Sequence, residues 1–482
     1  MNPRRLLHRL RHLARAVALR LRPRYVNDVL KRVLARWGLL DPYWHARAFV
    51  LSSIAFFTPR RIANSWRFAR RLRADQLRRR REMRLTVAVD VSALWEPLTG
   101  IGWYLYRLLE ALAPRDDLRL RLYGPDLVAT PDLPPPVVPL PRGPAIEVVR
   151  YAVPHDLNVP YVRMVRFLRN RQARLIAADR NRLLFAPNYF LPPSFAAARG
   201  RLVATVHDLS FLRVPWTLRE TTRRDLETHL KETVARAALV LTDAETVRRE
   251  LIDSGLVPAA RVRAVHLGPG SVGETAAGET SLPPGTPPRY ALHVGTLEPR
   301  KNLPTLFAAW RLLRRRWPQA PPLVLCGRFG WKTERLSETI DAGRDEGWLH
   351  HFGYLEDPQV AALYRGAQLV VVASIYEGFG LPAVEAMRCG VPLLLSDIPV
   401  LREVAGEAAE YAPAGEPEAW AEKLHALLKD GARCRELAQR GRERGTRFTW
   451  RRTADETVAA WRQAAGHAPV ATPQPAGAPA EA

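Results

Sequence analysis

The sequence predicts an α/β protein of two Rossmann-like domains facing one cleft, preceded by a basic helical extension. Three observations carry the prediction. Short apolar runs alternate with stretches of helical periodicity. The series halts at a Gly-, Pro- and Thr-rich stretch and then restarts. A chain of 482 residues also exceeds one ordinary domain. Hydrophobic residues make up 47% and mean hydropathy is -0.19, values normal for a soluble globular protein. No apolar run approaches the ~20 residues that span a bilayer. Arginines interrupt every early apolar segment, which argues against a secretion signal. The three cysteines (Cys326, Cys389 and Cys434) lack metal-ligand spacing, and no disulfide framework is expected. A reducing cytoplasm is the expected compartment.

Residues 1–84 hold 23 Lys/Arg against 4 Asp/Glu, so 19 of the 25 net positive charges sit there and 6 belong to the other 398 residues. Leu6, Leu7, Leu10, Leu13 and Val17 recur at near-helical intervals among arginines, as do Val29, Leu30, Val33 and Leu34. Pro23 divides two helical segments, and Trp44, Phe49, Phe56 and Phe57 follow. Basic amphipathic helices with neighbouring aromatics favour an anionic membrane surface. A helical arm packed on the protein itself is the competing reading, and a genomic bias toward Arg, Ala and Pro accounts for part of the charge. Nucleic-acid binding ranks last, because no nucleic-acid motif accompanies the charge.

The body begins with a strand at residues 85–91. Thr99-Gly100-Ile101-Gly102 then leads into an amphipathic helix through Tyr106, Leu108, Leu109 and Leu112. Gly100 and Gly102 between strand and helix let a ligand approach the backbone, although loop geometry alone explains such a pair. A second strand is expected over 117–123, and proline-rich residues 131–144 read as surface loop. Buried strands follow at 183–186, 202–206 and 238–242. The second of these ends in His207-Asp208, at the strand end where open α/β sheets gather ligands. This first domain is expected over 85–270 and a linker over 271–288. The second domain, 289–448, restarts with a strand at 290–295. Thr296-Leu297-Glu298-Pro299-Arg300-Lys301-Asn302 comes next, with Asn302 placed to cap a helix. Another strand spans 323–327. Residues 449–467 form a last helix, and the Pro/Ala-rich tail 468–482 is expected to be disordered.

The most informative stretch follows an apolar run at 369–375: Tyr376-Glu377-Gly378-Phe379-Gly380-Leu381-Pro382, then Ala383-Val384-Glu385-Ala386-Met387. Pro382 suits a first helical position, Glu385 falls within the first turn, and Gly390 stops the helix. A strand, a glycine turn and a helix N-terminus together form a receptor for an anion. The flanking carboxylates Glu377 and Glu385 suit hydroxyls, so phosphate and hydroxyls together suggest a nucleotide sugar. Two isolated glutamates ordinarily mark an acidic surface helix; Gly-Phe-Gly-Leu-Pro between them reverses that reading.

Glu377 and Glu385, eight positions apart, resemble the E-x7-E signature of retaining glycosyltransferases of family 4. The Gly295-Thr296 to Arg300-Lys301-Asn302 string resembles that family's phosphate-binding loop, and Gly100-x-Gly102 its N-terminal glycine loop. The resemblance covers roughly residues 85–464, is strongest from 290 to 405, and implies a GT-B fold. Two departures stand out: Thr242-Asp243-Ala244-Glu245 replaces a serine-rich turn, and Arg402 stands where relatives often have proline.

The resemblance implies transfer of a hexose from a nucleoside diphosphate to a saccharide or lipid-linked saccharide, with retention and without a metal, in cell-surface polysaccharide biosynthesis. No cofactor is expected beyond the nucleotide-sugar co-substrate. Arg300 and Lys301 would stabilise the departing diphosphate. Glu377 and the amides of Gly378, Phe379, Gly380 and Leu381 would orient the sugar, Glu385 would hold the ribose, and His207 would approach from the opposite domain. Gly100, Gly102 and Gly295 would line the donor site. Mannose donors fit the His207-Asp208 pair slightly better than other hexoses. A GT-B epimerase or phosphorylase, or a membrane-associated binding protein with an inactive transferase domain, are the alternatives. The expected location is the cytoplasm, peripheral to the membrane.

Overall fold

The computed structural model describes residues 84–466, except 96–99, 125–135, 150–175, 177–178, 180, 193–194, 197, 199 and 271–280. The expected basic arm (1–84), the first part of the linker and the C-terminal tail therefore lie essentially outside the described residues.

Two all-parallel sheets organise the chain. The first has the order β3-β2-β1-β4-β5-β6-β7, with strands Leu85–Asp90, Leu118–Tyr123, Ile146–Val149, Leu183–Ala186, Arg201–Val206, Leu239–Thr242 and Val262–Ala264 numbered β1 to β7 in chain order. Among the described residues its helices are α1 (Gly100–Leu112), α2 (Ser210–Arg213), α3 (Glu220–Arg236) and α4 (Glu245–Asp253). The second sheet runs β10-β9-β8-β11-β12-β13, made of Ala291–Val294 (β8), Leu323–Cys326 (β9), Leu349–His351 (β10), Leu369–Val372 (β11), Leu393–Ser396 (β12) and Glu410–Ala412 (β13). Helices α5 (Leu303–Arg316), α6 (Glu334–Asp345), α7 (Asp357–Gly366), α8 (Leu381–Cys389), α9 (Pro399–Ala405), α10 (Pro417–Lys429) and α11 (Gly431–Gly445) belong to this lobe, and α12 (Trp450–Ala464) ends the described chain.

Strand sequences such as LLFA, LVLC and LVVV are buried on both faces. Continuous apolar runs of this kind suit sheets covered by helices on both sides. The strand order reverses between β1 and β4, and again between β8 and β11. Such switch points open a crevice beyond the strand carboxyl ends. Gly295 follows β8 and Glu377 follows β11, so the second crevice receives the expected site residues of the second domain.

Three sequence expectations shift. β11 ends at Val372 and not at 375, because the Ile375 amide turns to donate to the carbonyl of Arg300 at 3.0 Å. Helix α8 starts at Leu381, so Pro382 is its second residue and Glu385 lies beyond the first turn. Asn302 does occupy the N-cap of α5, but its side chain makes no cap bond. Its amide nitrogen instead donates to the carbonyls of Ala373 (3.1 Å) and Ala414 (2.6 Å), tying the basic loop to its neighbours.

The last helix lies on the first lobe. Trp461 is fully buried with its ring edge against Phe185 at 5.0 Å between centroids. A buried indole hides roughly 200 Å², on the order of 5 kcal/mol of apolar burial. The part-exposed pairs Arg115–Asp455 and Arg462–Asp117 at the rim add about 1 kcal/mol or less each. Burial therefore anchors α12, and charge only trims its register.

Candidate active site

Arg300 and Lys301 close a short 3-10 turn after β8, and both meet the carboxylate that follows β11. Lys301 Nζ donates to Glu377 Oε1 at 2.6 Å and Arg300 Nη1 to Glu377 Oε2 at 3.0 Å. Ser374 Oγ adds a third bond to Glu377 at 2.6 Å. Glu298 takes Arg300 from the other side, Nη2 to Oε1 at 2.7 Å. The side chains of Lys301 and Glu377 are only 9% and 6% exposed. Burial works against ionisation of Glu377, but Lys301, Arg300 and Ser374 outweigh it and hold the carboxyl at about 2. Burial likewise opposes the Arg300 charge, and Glu377, Asp208 and Glu298 more than restore it. The cluster is therefore a charged, internally balanced group. A diphosphate arriving here would take the two cations from Glu377 and free its oxygens for hydroxyls.

Glu385 has a different environment. It is buried, with Tyr364 Oη donating at 2.7 Å. Burial dominates and pushes its carboxyl up to about 7. A side chain at Gly270 would collide with it, since an added Cβ would lie 1.9 Å from Oε1; the segment leaving the first lobe thus passes directly over this carboxylate. Nearby, a cavity of about 380 Å³ opens between Trp103 and Val138 of the first lobe and Arg328, Tyr354 and Asp357 of the second. The Arg328 guanidinium lies 4.1 Å over the Tyr354 ring, and the Asp357 charge acts on Glu385.

The lobes meet at Gly378. A Cβ there would lie 2.1 Å from the carbonyl oxygen of His207, so only glycine lets the backbones approach this closely. Asp208, beside it, places a negative charge that acts on Arg300 across the cleft.

Residues 279–444 match the family model described as glycosyl transferases group 1. The chain is 32% identical over 375 residues to O-antigen chain mannosyltransferase B of Escherichia coli, covering 76% of this chain and 96% of that one. The chain belongs to the group 1 glycosyltransferases. The fold is also similar to sucrose-phosphate synthase from Thermosynechococcus elongatus, with a TM-score of 0.60 and 22% identity over 79% of this chain and 99% of that one. It is similar, too, to Anabaena HepE in complex with UDP and glucose, at a TM-score of 0.57 and 17% identity, covering 78% and 98%. The two-sheet architecture is that of the GT-B glycosyltransferases.

Within this glycosyltransferase the expected residues, Glu385 apart, fall into four groups. Arg300, Lys301 and Glu377 converge, and Gly295 lies beside them: a Cβ on it would sit in ordinary contact with Lys301 Cε at 3.5 Å. Gly378, Gly380 and Leu381 form the turn and N-terminus of α8, where Pro382 carries no N–H and the Ala383 and Val384 amides donate to the Gly380 carbonyl at 2.9 and 3.4 Å. Gly100 and Gly102 are not a loop ahead of the helix; they form the first turn of α1. Two side chains are engaged elsewhere. Phe379 is a core ring, 5.7 Å from Phe448 and 5.8 Å from His266, so only its backbone is available to a donor. His207 has both ring nitrogens occupied inside its own lobe, Nδ1 at 2.7 Å from Asp243 Oδ2 and Nε2 at 2.7 Å from the Pro187 carbonyl. Burial alone would depress this imidazole, but the Asp243 charge and hydrogen bond leave it raised. Tyr104 in α1 sets its ring edgewise on His207 at 4.8 Å, so the imidazole braces the wall under α1.

Sequence reasoning assigned no role to Tyr376 or Glu403, which bridge the lobes. Glu403 reads as one more charged residue on a helix, and its partners lie far back in the sequence.

Proposed function

We propose that this chain transfers a hexose, mannose in first place, from a nucleoside diphosphate to a saccharide or lipid-linked saccharide acceptor with retention of configuration. The observation that carries the reading is the buried Arg300–Lys301–Glu377 group at the switch point of the second sheet. Two cations fixed on Glu377, in the loop that leads into α8, suit a diphosphate whose charge grows as the glycosidic bond breaks. They supply the charge stabilisation that a metal supplies elsewhere, and the reaction proceeds without one. Glu377, relieved of its cations by the diphosphate, accepts hydroxyls of the sugar. Glu385 accepts the ribose hydroxyls, and the adjoining cavity over Tyr354 accommodates the base. Likeness to an O-antigen mannosyltransferase along nearly its whole length supports mannose and a cell-surface polysaccharide. The basic extension holds the enzyme to the cytoplasmic face of the membrane.

The test is transfer from GDP-, UDP- and dTDP-sugars to saccharide acceptors, with the anomeric configuration of the product read by NMR. GDP-mannose should yield an α-linked product. Lys301→Ala should lower kcat by about 10²–10³-fold with the fold intact by circular dichroism. Wild-type turnover in that variant would defeat the diphosphate assignment, and a β-linked product would defeat retention.

A further inference from the structure

Helix α4 belongs to the first lobe but is held by the second at two points. Ala244 stands at its N-cap and has no side-chain acceptor. The missing cap comes from α9 on the other lobe. Glu403 Oε1 accepts from the Glu245 amide at 2.7 Å, and Oε2 accepts from the Thr246 amide at 2.7 Å and its hydroxyl at 2.6 Å. The same carboxylate lies 2.7 Å from His266 Nε2. Farther along α4, Glu250 accepts the Tyr376 hydroxyl at 2.8 Å, and that hydroxyl accepts from the Leu209 amide at 3.0 Å. Tyr376 directly precedes Glu377, and its carbonyl accepts from Arg300 Nη1 at 3.2 Å. A continuous run of bonds thus leads from Glu403 through α4 and Tyr376 to the buried cations.

We infer that Glu403 and Tyr376 are positioning residues, which make docking of α4 against the second lobe and placement of Arg300, Lys301 and Glu377 a single event. Neither touches the expected donor. Glu403 holds the near end of α4, and Tyr376 transmits the position of α4 to the loop that carries Glu377. Water can replace every one of these bonds when the cleft opens. Each therefore contributes modestly, and the contact reverses within a catalytic cycle. The inference rests on the reading that Arg300 and Lys301 meet the leaving diphosphate.

The test uses the full-length protein and the variants Glu403→Ala, Glu403→Gln, Tyr376→Phe and the double variant Glu403→Ala/Tyr376→Phe. With GDP-mannose as donor, each single alanine or phenylalanine change should lower kcat about tenfold while GDP affinity by calorimetry changes less than threefold. Glu403→Gln, which keeps an acceptor oxygen for α4, should recover part of the loss. The double variant should be no worse than the weaker single one, because both lesions cut the same connection. Effects that multiply, or an unchanged kcat, would overturn the inference. Hydrogen exchange supplies a readout independent of turnover. Glu403→Ala, or Glu403→Gln if the alanine variant does not fold, should speed exchange at residues 245–247 and also at 376–381 on the other lobe. Faster exchange confined to 245–247 ends the coupling whether or not the chain transfers mannose. Coupled exchange together with an active Lys301→Ala variant would sink the diphosphate reading and leave the coupling standing.

Discussion

Glu385 and Glu377 flank one glycine turn yet behave as opposites: one carboxyl rises to about 7 by burial, and the other is held near 2 by two cations. Ribose hydroxyls donate to a carboxylate better than to a carboxylic acid, so nucleotide binding should expel a proton from Glu385 below pH 7. Calorimetry of GDP binding at pH 6 in buffers of different ionisation enthalpy should register that release, and Glu385→Gln should abolish it. Stability follows the same sign. Between about 4.5 and 7 the folded protein holds a proton on Glu385 that the unfolded chain has lost, so stability falls as pH rises through that window. The change is on the order of 3 kcal/mol, and Glu385→Gln should gain on wild type in melts at pH 7.5 relative to pH 5. A melt difference that does not vary with pH would contradict the burial of this carboxyl. The glutamates and the Arg-Lys pair were legible because each lies in a short local motif, although the bonds that join Glu377 to the pair span 76 and 77 positions. His207 was legible only as a position. That its ring is held by Asp243 depends on a contact 36 residues away. Glu403 was illegible for the same reason, since its acceptor role arises only when two lobes meet.

At the level of elements, the glycine turn before α8 sets how closely the sheets approach. Gly378→Ala places a methyl group against the His207 carbonyl, and backbone on both sides cannot yield as a flexible side chain would. The lobes should be forced apart, with kcat falling about tenfold to a hundredfold while the melting temperature shifts by a few degrees. An unimpaired Gly378→Ala enzyme would show that the closed contact is dispensable. The long apolar strands could be read directly, because burial on both faces leaves a run of Leu and Val that turn residues delimit. β7, β10 and β13, three residues each, carry too few residues for a period to register, and sheet neighbours alone define them. Arg402, odd beside its relatives, has a physical account: exposed, it pairs with Asp397 and lies 4.3 Å over the Tyr411 ring.

For the whole molecule, charge is concentrated at one end: residues 1–84 hold most of the net positive charge, and the two-lobed body is nearly balanced. Vesicles containing anionic lipid should therefore sediment the full-length protein at low salt and release it as ionic strength rises. A chain lacking residues 1–84 that still sediments would place the membrane contact in the body. The chain also passes between its lobes twice, once after β7 and again before α12. The crossings are bonded to one another, Trp450 Nε1 to the Pro269 carbonyl at 2.7 Å and Thr453 Oγ1 to the His266 carbonyl at 2.8 Å. A loop and a helix start fastened side by side tie the two connections into one seam, so any widening of the cleft should be smallest beside Trp450.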